Sequence, residues 1–447
     1  MRITVSLKVL PLLLGILIGT AQAAVPAADA ARLGTTLTPV GAEKAGNGHD
    51  IPAWTGGLPQ NAGAVDAKGF LADPFAGEQP LFVITAQNVA QYQDRLTPGQ
   101  LALFKRYPES FRMPVYTTHR TATLPSAWLD KTRENATGVA LTQGGNGLEN
   151  YHGGIPFPVP HSGLEVIWNH LTHYITGMRR SFVQVTPQQN GSYSLVQFED
   201  EILPFHQMKE PGNLLFYLKQ RVTAPARLAG NVLLIHETIN QVSEPRQAWQ
   251  YNAGQRRVRR APQVAYDGPG TASDGMRTSD NFDLFNGAPD RYEWTLLGKK
   301  DVYIPYNSYR LDSPKLTYAE IVKAGHINQD LTRYELHRVW HVSATLKPGA
   351  RHIYAKRDFY FDEDTWLAAT VDHYDGRGSL WRVGEGHAQN YYHQQFPWYT
   401  MEALYDLQSG RYLALGMKNE EPRAWDFNFK PAEGSFTPAA LRQAGVR

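Results

Sequence analysis

The chain has 447 residues, with 44 Lys and Arg against 42 Asp and Glu, and its formal net charge is +2 at pH 7. This balance argues against a nucleic-acid-binding protein, which needs an excess of basic side chains to neutralise phosphates. The chain contains no cysteine, which excludes thiol catalysis, zinc–thiolate sites and disulfides, so the fold depends on a hydrophobic core.

Residues 1–23 have the features of a secretory signal peptide. Arg2 and Lys8 give a basic start, an apolar run follows, and residues 21–23 form a small-x-small cleavage site. The apolar run is too short for a membrane-spanning helix, and no later segment reaches about 18 continuous apolar residues. We therefore expect a protein that does not span the membrane and is exported to the periplasm after cleavage behind Ala23.

The mature chain is expected to have two parts, an arm and a single large domain. Residues 24–83 contain too many Gly and Pro for long regular elements, which predicts a mostly extended N-terminal arm. Residues 84–447 predict one domain. It comprises a helical block at about 84–176, antiparallel strands at about 181–417 and a C-terminal tail at 418–447.

The helices are predicted from residue types that cap helix N-termini. Thr97 precedes Pro98, and Ser162 is followed by Glu165 at the spacing of a capping box. The predicted helices are 85–95, 97–107, 126–136 and 162–174, with short helices at about 27–33 and 437–443.

From Ser181 onward the side chains alternate with the period of two that is typical of strands. The connections are short and turn-like, for example Gly298-Lys299 and Asp375-Gly376, which predicts an antiparallel meander rather than a βαβ sheet. So many strands do not stay flat, and they predict a barrel, half-barrel or sandwich. The strand candidates are 181–186, 193–199, 213–223, 231–239, 247–252, 256–260, 291–297, 301–306, 333–346, 351–361, 366–374, 379–393, 398–407 and 411–417.

Aromatic residues make up 11% of the chain. They favour strands and line concave apolar surfaces. Along the strand candidate 333–346, Tyr334 and Trp340 share one face, and Glu335 and His337 share the other. Large residues on both faces suit a sheet that is covered by helices on one side and concave. Core packing would explain the aromatic content equally well, and the pattern does not separate the two.

Many blocks occur in order along the chain. They include LTPVGAEKAG at 37–46, IPAWTGG at 51–57, PFP at 156–158, IWNH at 167–170, WQYNAGQRRVRRAP at 249–262, FNG at 285–287, RYEW at 291–294, YIPYN at 303–307, RYELHRVW at 333–340, FDED at 361–364 and LWRV at 380–383. Together these blocks resemble the bacterial family called domain of unknown function 1329, over essentially the whole mature chain. That family resembles in turn the periplasmic lipoprotein-sorting proteins LolA and LolB.

The resemblance implies a fold that is mainly β with some α, an unclosed antiparallel β-barrel with helices covering its concave face. It also implies binding of a lipid or other apolar small molecule in the Gram-negative envelope. An outer-membrane barrel protein and a resistance-nodulation-division exporter are the implied partners. The resemblance assigns no catalytic residue and no cofactor, and we expect neither.

The ligand-binding residues are predicted to be aromatic side chains and arginines. Residues 256–260 hold four arginines on the second strand of a predicted hairpin, where guanidinium groups suit an anionic head group at a cavity mouth. The alternative is a solvated strand or ion pairs with Asp280, Asp283 or Asp290. The candidates are Trp249, Tyr251, Arg257, Arg259, Arg260, Trp294, Tyr303 and Trp340. Release of the ligand would need a lid to move, and the flexible segment 144–154 is the candidate for that lid.

No metal site is expected. His170 and His173 would face one ion from a helix, but no acidic residue is fixed beside them. His337 and His341 lie about 13 Å apart along a strand and cannot share one ion. The acidic run 362–364 fits a hairpin turn better than a calcium loop, because it lacks the glycine and the alternate oxygen spacing of such a loop.

The chain lacks the nucleophile-elbow, zinc-protease and phosphate-binding motifs, so we do not expect an enzyme, although scattered Ser, His and Asp could still converge. The sequence favours a periplasmic carrier or chaperone that buries an apolar ligand in an aromatic-lined cavity, in the trafficking of envelope lipids or hydrophobic compounds. Two alternatives stay open. One is a non-catalytic adaptor that links an inner-membrane exporter to an outer-membrane protein, and the other is a hydrolase of an apolar ester.

Overall fold

The computed structural model describes residues 26–445. The expected signal peptide and its cleavage point lie outside these residues. Within the described range, no helix has the length and apolar character needed to cross a membrane. The helices are α1 (Ala27–Ala30), α2 (Pro98–Arg106), α3 (Ser126–Gly138), α4 (Gly163–Leu171), α5 (Tyr318–Ile321) and α6 (Leu441–Gly445).

Strands dominate the rest of the domain. They are β1 (Phe82–Ile84), β2 (Met113–Val115), β3 (Ala140–Leu141), β4 (Leu148–Glu149), β5 (Met178–Val185), β6 (Leu195–Pro204), β7 (Leu214–Ala224), β8 (Val232–Thr238), β9 (Gln247–Asn252), β10 (Arg257–Arg260), β11 (Tyr292–Pro305), β12 (Tyr334–Leu346), β13 (Lys356–Asp362), β14 (Ala368–Tyr374), β15 (Leu380–Tyr391), β16 (Phe396–Asp406) and β17 (Arg411–Met417).

One large unclosed sheet contains every strand except the β3–β4 pair. Strands β11 to β17 follow one another as antiparallel neighbours, β17 then pairs with β5, and β5 to β10 continue in chain order. The β1–β2 pair joins through a single parallel bridge between Tyr334 and Val115. The order does not return from β10 to β11. The predicted fold class, a mainly β unclosed sheet with few helices, is therefore confirmed.

Helix α4 lies against the sheet and is buried along most of its length. The predicted capping box of Ser162 and Glu165 is present, and the helix ends at Leu171, three residues before the predicted end. Gly163 is required at the first turn because a Cβ there would lie 2.8 Å from the backbone carbon of Trp294. This close approach fixes α4 on β11 and β12.

The N-terminal arm packs on the domain. Between residues 26 and 81 the only regular element described is α1. The indole Nε1 of buried Trp366 donates to Val40 O at 3.0 Å, and Tyr392 Oη donates to Ala64 O at 3.0 Å. These long-range hydrogen bonds fasten an irregular segment to the sheet.

Two predicted elements were wrong. The helix at 85–95 is replaced by short 3₁₀ turns, because the Asn88 side chain accepts from Thr85 N at 2.8 Å and donates to Val83 O at 3.0 Å. Gly298-Lys299 is not a hairpin turn. Gly298 has a φ of +103° beside a bulge in the continuous strand β11, which runs antiparallel to β12 along its whole length.

Candidate functional site

A cavity lined mainly by apolar side chains lies at the C-terminal end of α4, between α3 and strands β6, β7 and β16. The space among these side chains, including its mouth, is about 500 Å³, but only about 30 Å³ of it is wide enough for a water molecule. A larger ligand enters only when wall side chains move apart. The principal apolar wall residues are Trp128, Phe205, Phe216, Leu218, Phe282 and Trp398.

The register of β6 and β7 explains why this part of the sheet is apolar. Ile202 pairs with Leu218, and Pro204 pairs with Phe216. Directly opposed residues of an antiparallel pair share one face, so these side chains form a continuous patch. Trp128 of α3 closes the cavity from the helical side.

Two buried polar atoms of the cavity wall make no hydrogen bond to the described residues, Trp128 Nε1 and His173 Nε2. His173 Nδ1 lies 2.6 Å from His170 O and donates to it, so in a neutral imidazole Nε2 is an acceptor. An indole nitrogen only donates. These two atoms together supply a donor and, in the neutral imidazole, an acceptor within mainly apolar surroundings, which suits a ligand with a single hydroxyl or amide group.

A buried ion pair supports the cavity floor. Arg180 Nη2 lies 2.9 Å from Asp200 Oδ2, and the two residues face each other in the β5–β6 register. The Arg180 guanidinium carbon also lies 4.6 Å from the centre of the Trp398 ring, which lines the cavity. The charged pair thus fixes the position of an aromatic wall residue.

Two buried carboxyl groups, Asp283 and Glu402, adjoin the cavity. Asp283 Oδ1 accepts from Trp398 Nε1 at 3.3 Å, and Glu402 Oε2 accepts from Leu284 N at 3.0 Å. Burial, and then the negative charge of Asp283, raise the pKa of Glu402 to about 8. Burial also raises the pKa of Asp283. The pair therefore takes up protons more readily than carboxyl groups in water.

We predict that Glu402→Gln raises the melting temperature at about pH 8 by a few degrees and changes it little at about pH 5. Because the folded-state pKa of Glu402 is raised to about 8, its contribution to stability is complete at low pH and is lost as pH rises through that value. Gln stays neutral and keeps an acceptor for Leu284 N. Thermal unfolding of both proteins across this pH range tests the prediction, and a difference that does not depend on pH contradicts it.

His170 fastens α4 to the loop that borders the cavity. Its Nε2 donates to Asp283 O and Phe285 O, each at 3.0 Å, and its Nδ1 accepts from Ala368 N at 3.3 Å. Burial, with a smaller effect from His173, lowers the pKa of His170 to about 3. The residue is a neutral structural bridge, and both of its ring nitrogens are engaged by the backbone.

The predicted ligand-binding residues do not come together in one place, and none of them lines this cavity. Trp249, Tyr251 and Arg260 share one face of the β9–β10 hairpin, while Arg257 and Arg259 share the other. Tyr251 is buried beside the C-terminal tail. The arginines of β10 are exposed, as the solvated-strand alternative expects.

The remaining candidates lie on β11 and β12. Trp294 packs on Phe359 with 5.5 Å between ring centroids, and Trp340 stacks on Trp366 at 6.1 Å. Tyr303 belongs to a second hydrophobic cluster beside the N-terminal arm. Their role in ligand binding stays a prediction.

Sequence reasoning missed Trp128, Phe205, His206 and Trp398 as cavity residues. The alternation of β6 and β7 shows that one face is apolar, but it does not show which helix covers that face. The Trp398 ring packs near His173, Arg180 and Trp425, two of which are far away in sequence. Only the three-dimensional arrangement brings these side chains together.

The comparisons with known proteins agree on the family. Residues 83–442 match the model described as "Protein of unknown function (DUF1329)". The chain is 68% identical over 443 residues to the uncharacterized protein PA3922 of Pseudomonas aeruginosa, with 98% of this chain and 97% of that protein covered.

Three solved structures are also similar to parts of this chain. One is a domain from Vibrio parahaemolyticus that is named for outer membrane lipoprotein sorting. Its TM-score is 0.42, and the identity is 14% over 61% of this chain and 94% of that domain. A DUF1329 family protein from Desulfovibrio piger has a TM-score of 0.40 and 15% identity over 60% and 92%. The LolA superfamily protein NE2245 from Nitrosomonas europaea has a TM-score of 0.38 and 11% identity over 62% and 98%.

The family model and the identity to the Pseudomonas protein rest on sequence and extend over most of the chain. They show that the chain belongs to the DUF1329 family.

Proposed function

We propose that the protein is a periplasmic carrier that binds a lipid or comparable apolar ligand in the cavity at the end of α4. The observation that carries this proposal is an apolar aromatic wall that includes two polar atoms, Trp128 Nε1 and His173 Nε2, with no hydrogen-bond partner in residues 26–445. Ligand sites commonly combine an apolar lining with a few polar groups that fix orientation. Export to the periplasm is part of the proposal.

The narrow interior requires a step that opens the cavity, and the loop at 144–154 is suited to it. A Cβ on Gly153 would lie 3.0 Å from the ring of Trp128, so the loop holds this wall residue in place. The loop is anchored at Gly145, whose carbonyl oxygen accepts from Trp168 Nε1 at 2.9 Å. Movement of the loop would release Trp128 and widen the cavity.

The expected affinity comes from burial of an apolar tail. Each buried methylene contributes about 0.8 kcal/mol, against which stand the costs of ordering the ligand and opening the wall. A medium-length acyl chain is therefore enough for useful binding. The polar atoms of Trp128 and His173 would set orientation more than strength.

We predict that Leu218→Trp weakens binding of a fluorescent fatty acid at least about tenfold, because the indole fills the cavity floor. Tyr217→Trp is the matched control, since Tyr217 neighbours Leu218 on β7 but packs against Phe436 on the other face. We expect the wild type and this control to bind one fatty acid per chain. The measurement is fluorescence titration, together with native mass spectrometry of protein purified from its own periplasm. A wild type that takes up no fatty acid and carries no extractable lipid contradicts the carrier function.

A second candidate function is the adaptor, with an outer-membrane barrel protein and a resistance-nodulation-division exporter as partners. The adaptor function is favoured by a separate cleft between the arm and the sheet. This cleft is large, with a water-accessible volume of about 1170 Å³. Its walls mix charged and apolar side chains, including Arg112, Asp330, Phe75 and Tyr116. A mixed groove of this size suits an extended protein segment. A stable complex formed by lipid-free protein would support the adaptor.

The cavity gives no support to the hydrolase alternative. Thr172 is the only hydroxyl-bearing residue among those that line it, and its Oγ1 donates to Trp168 O at 2.7 Å. No hydroxyl group of the cavity wall is therefore paired with a histidine, as an activated nucleophile requires.

A further inference from the structure

A second group of buried titratable side chains lies on the face of β12 opposite to α4. His337 is on β12, Asp362 ends β13, and Asp364 follows in the turn to β14. All three are buried, and one ligand atom from each lies within 4.8 Å of the others. The strand pairing of β12 with β13 brings the histidine to the acidic turn.

The separation of His337 Nδ1 from Asp362 Oδ1 is 3.4 Å, and Asp362 Oδ1 has no hydrogen-bond partner among the described residues. Two ligands of a tetrahedral ion with bonds of about 2.1 Å lie about 3.4 Å apart. The second oxygen of Asp362 accepts from Thr365 N at 3.0 Å, which fixes the carboxylate. The two atoms are thus held at the separation of two ligands of one tetrahedral ion, which is also that of a long ion pair.

The other nitrogen of His337 is oriented as in many metal-binding histidines. Its Nε2 lies 3.2 Å from Glu335 Oε2. Glu335 is itself fixed by Arg333 Nε at 2.5 Å, Asn307 Nδ2 at 2.9 Å and His119 N at 2.7 Å. A metal-bound histidine almost always donates its second N–H to a carboxylate or carbonyl, and here Nδ1 is the nitrogen left to bind the ion.

Tyr306 supplies an independent indication of a ligand. Its ring lies 4.0 Å from that of His337, its side chain is buried, and its hydroxyl has no hydrogen-bond partner among the described residues. A buried hydroxyl without a partner among the described residues, on a ring that packs against His337, is available to an ion bound there.

In the ion-pair network around the cluster, carboxyl groups outnumber Lys and Arg side chains. Among the described residues its carboxylates are Glu43, Glu78, Asp301, Glu335, Asp362, Glu363 and Asp364, and its Lys and Arg residues are Arg120, Lys299, Arg333 and Arg338. A divalent cation among these carboxyl groups would balance part of this difference.

Arg120 is the main competitor for the ion, because its guanidinium donates to both oxygens of Asp364 at 2.7 Å. An ionised carboxylate has about four lone-pair positions, and a bidentate guanidinium uses two of them. Asp364 therefore keeps the capacity to bind an ion while it holds Arg120.

We propose that His337, Asp362 and Asp364 bind one divalent transition-metal ion, with the Tyr306 hydroxyl as its fourth neighbour. An imidazole with two carboxylates and no thiolate suits Zn²⁺ or Mn²⁺. Through Asp364 and Arg120 the ion would also join the sheet to the segment before α3. His341 takes no part, since it stacks on Tyr360 with 4.5 Å between ring centroids.

The test uses the mature protein, stripped with a chelator, incubated with Zn²⁺ or Mn²⁺ and desalted. We expect elemental analysis to find one ion per chain and thermal unfolding to shift upward with ion concentration. His337→Gln and Asp362→Asn should lose the ion, Tyr306→Phe should bind it about tenfold more weakly, and the control His341→Gln should bind it as the wild type does.

Buried variants that fail to fold do not decide the question, because the wild type is tested directly. Co²⁺ bound by nitrogen and oxygen ligands in tetrahedral geometry gives a strong visible absorption, which we expect at one equivalent. A wild type that keeps no ion after desalting, shows no Co²⁺ spectrum and unfolds at the same temperature with and without metal overturns the proposal.

Discussion

Arg357→Leu is expected to lower the free energy of unfolding by about 3–5 kcal/mol, because it leaves a buried carboxylate without its main partner. Arg357 Nη2 lies 2.6 Å from Asp280 Oδ2, and both side chains are almost inaccessible to solvent. The guanidinium also lies among the rings of Phe285, Tyr292 and Tyr354, at 5.3, 4.9 and 5.1 Å. Although burial alone would raise it, the pKa of Asp280 is held well below its usual range, chiefly by Arg357.

Urea unfolding measures this effect, and two further variants show its origin. Arg133→Leu is the surface control, since its pair with Asp130 at 3.3 Å is exposed and should contribute less than about 1 kcal/mol. The double change Arg357→Leu and Asp280→Asn removes both buried charges and should recover part of the loss. A double variant as unstable as Arg357→Leu would mean that lost packing, and not the loss of the charged partner of Asp280, causes the effect.

Trp366→Ala is the second change with a large expected effect, about 3–5 kcal/mol, because it empties a fully buried site. It also removes the hydrogen bond from Trp366 Nε1 to Val40 O and the stacking on Trp340. We therefore expect the N-terminal arm to loosen together with the loss of stability. Trp54→Ala, at a half-buried position of the arm itself, should have a smaller effect on unfolding.

The measurement combines urea unfolding with limited proteolysis. In Trp366→Ala, new cleavage should occur first in the arm near residues 37–46, under conditions where the wild type stays intact. If the variant is destabilised but its arm resists protease as well as that of the wild type, then Trp366 stabilises the sheet without fastening the arm.

Local patterns predicted the elements that local chemistry determines. The last strand, 411–417, and the capping box of α4 were read correctly, because alternation and cap geometry involve residues close in sequence. The three-residue strands β1 and β2 were missed, since so short a segment carries no period. Gly298 shows most clearly what local patterns cannot distinguish. A glycine with a positive φ occurs in a β-bulge as well as in a turn.

The candidate site was harder to predict than the fold. The arginines of β10 were predicted as ligand-binding residues because a sequence shows charge. It does not show that these side chains are exposed. Arg180 and Asp200, by contrast, face each other across β5 and β6 and are buried beneath rings from distant segments. The acidic turn at 362–364 was correctly placed between two strands, but the approach of His337 depends on the register of β12 with β13.

The pairing of β17 with β5 determines when the centre of the sheet can form. Residues 183–185 of β5 pair with residues 414–417 of β17. Most of the chain must therefore be synthesised before this seam between β5 and β17 can close. Pairing between segments so distant in sequence is slow, and until then β5 exposes a free strand edge that other chains can add to. We therefore expect closure of this seam to be a late step of folding. Until it closes, the nascent chain should depend on chaperones that cover strand edges.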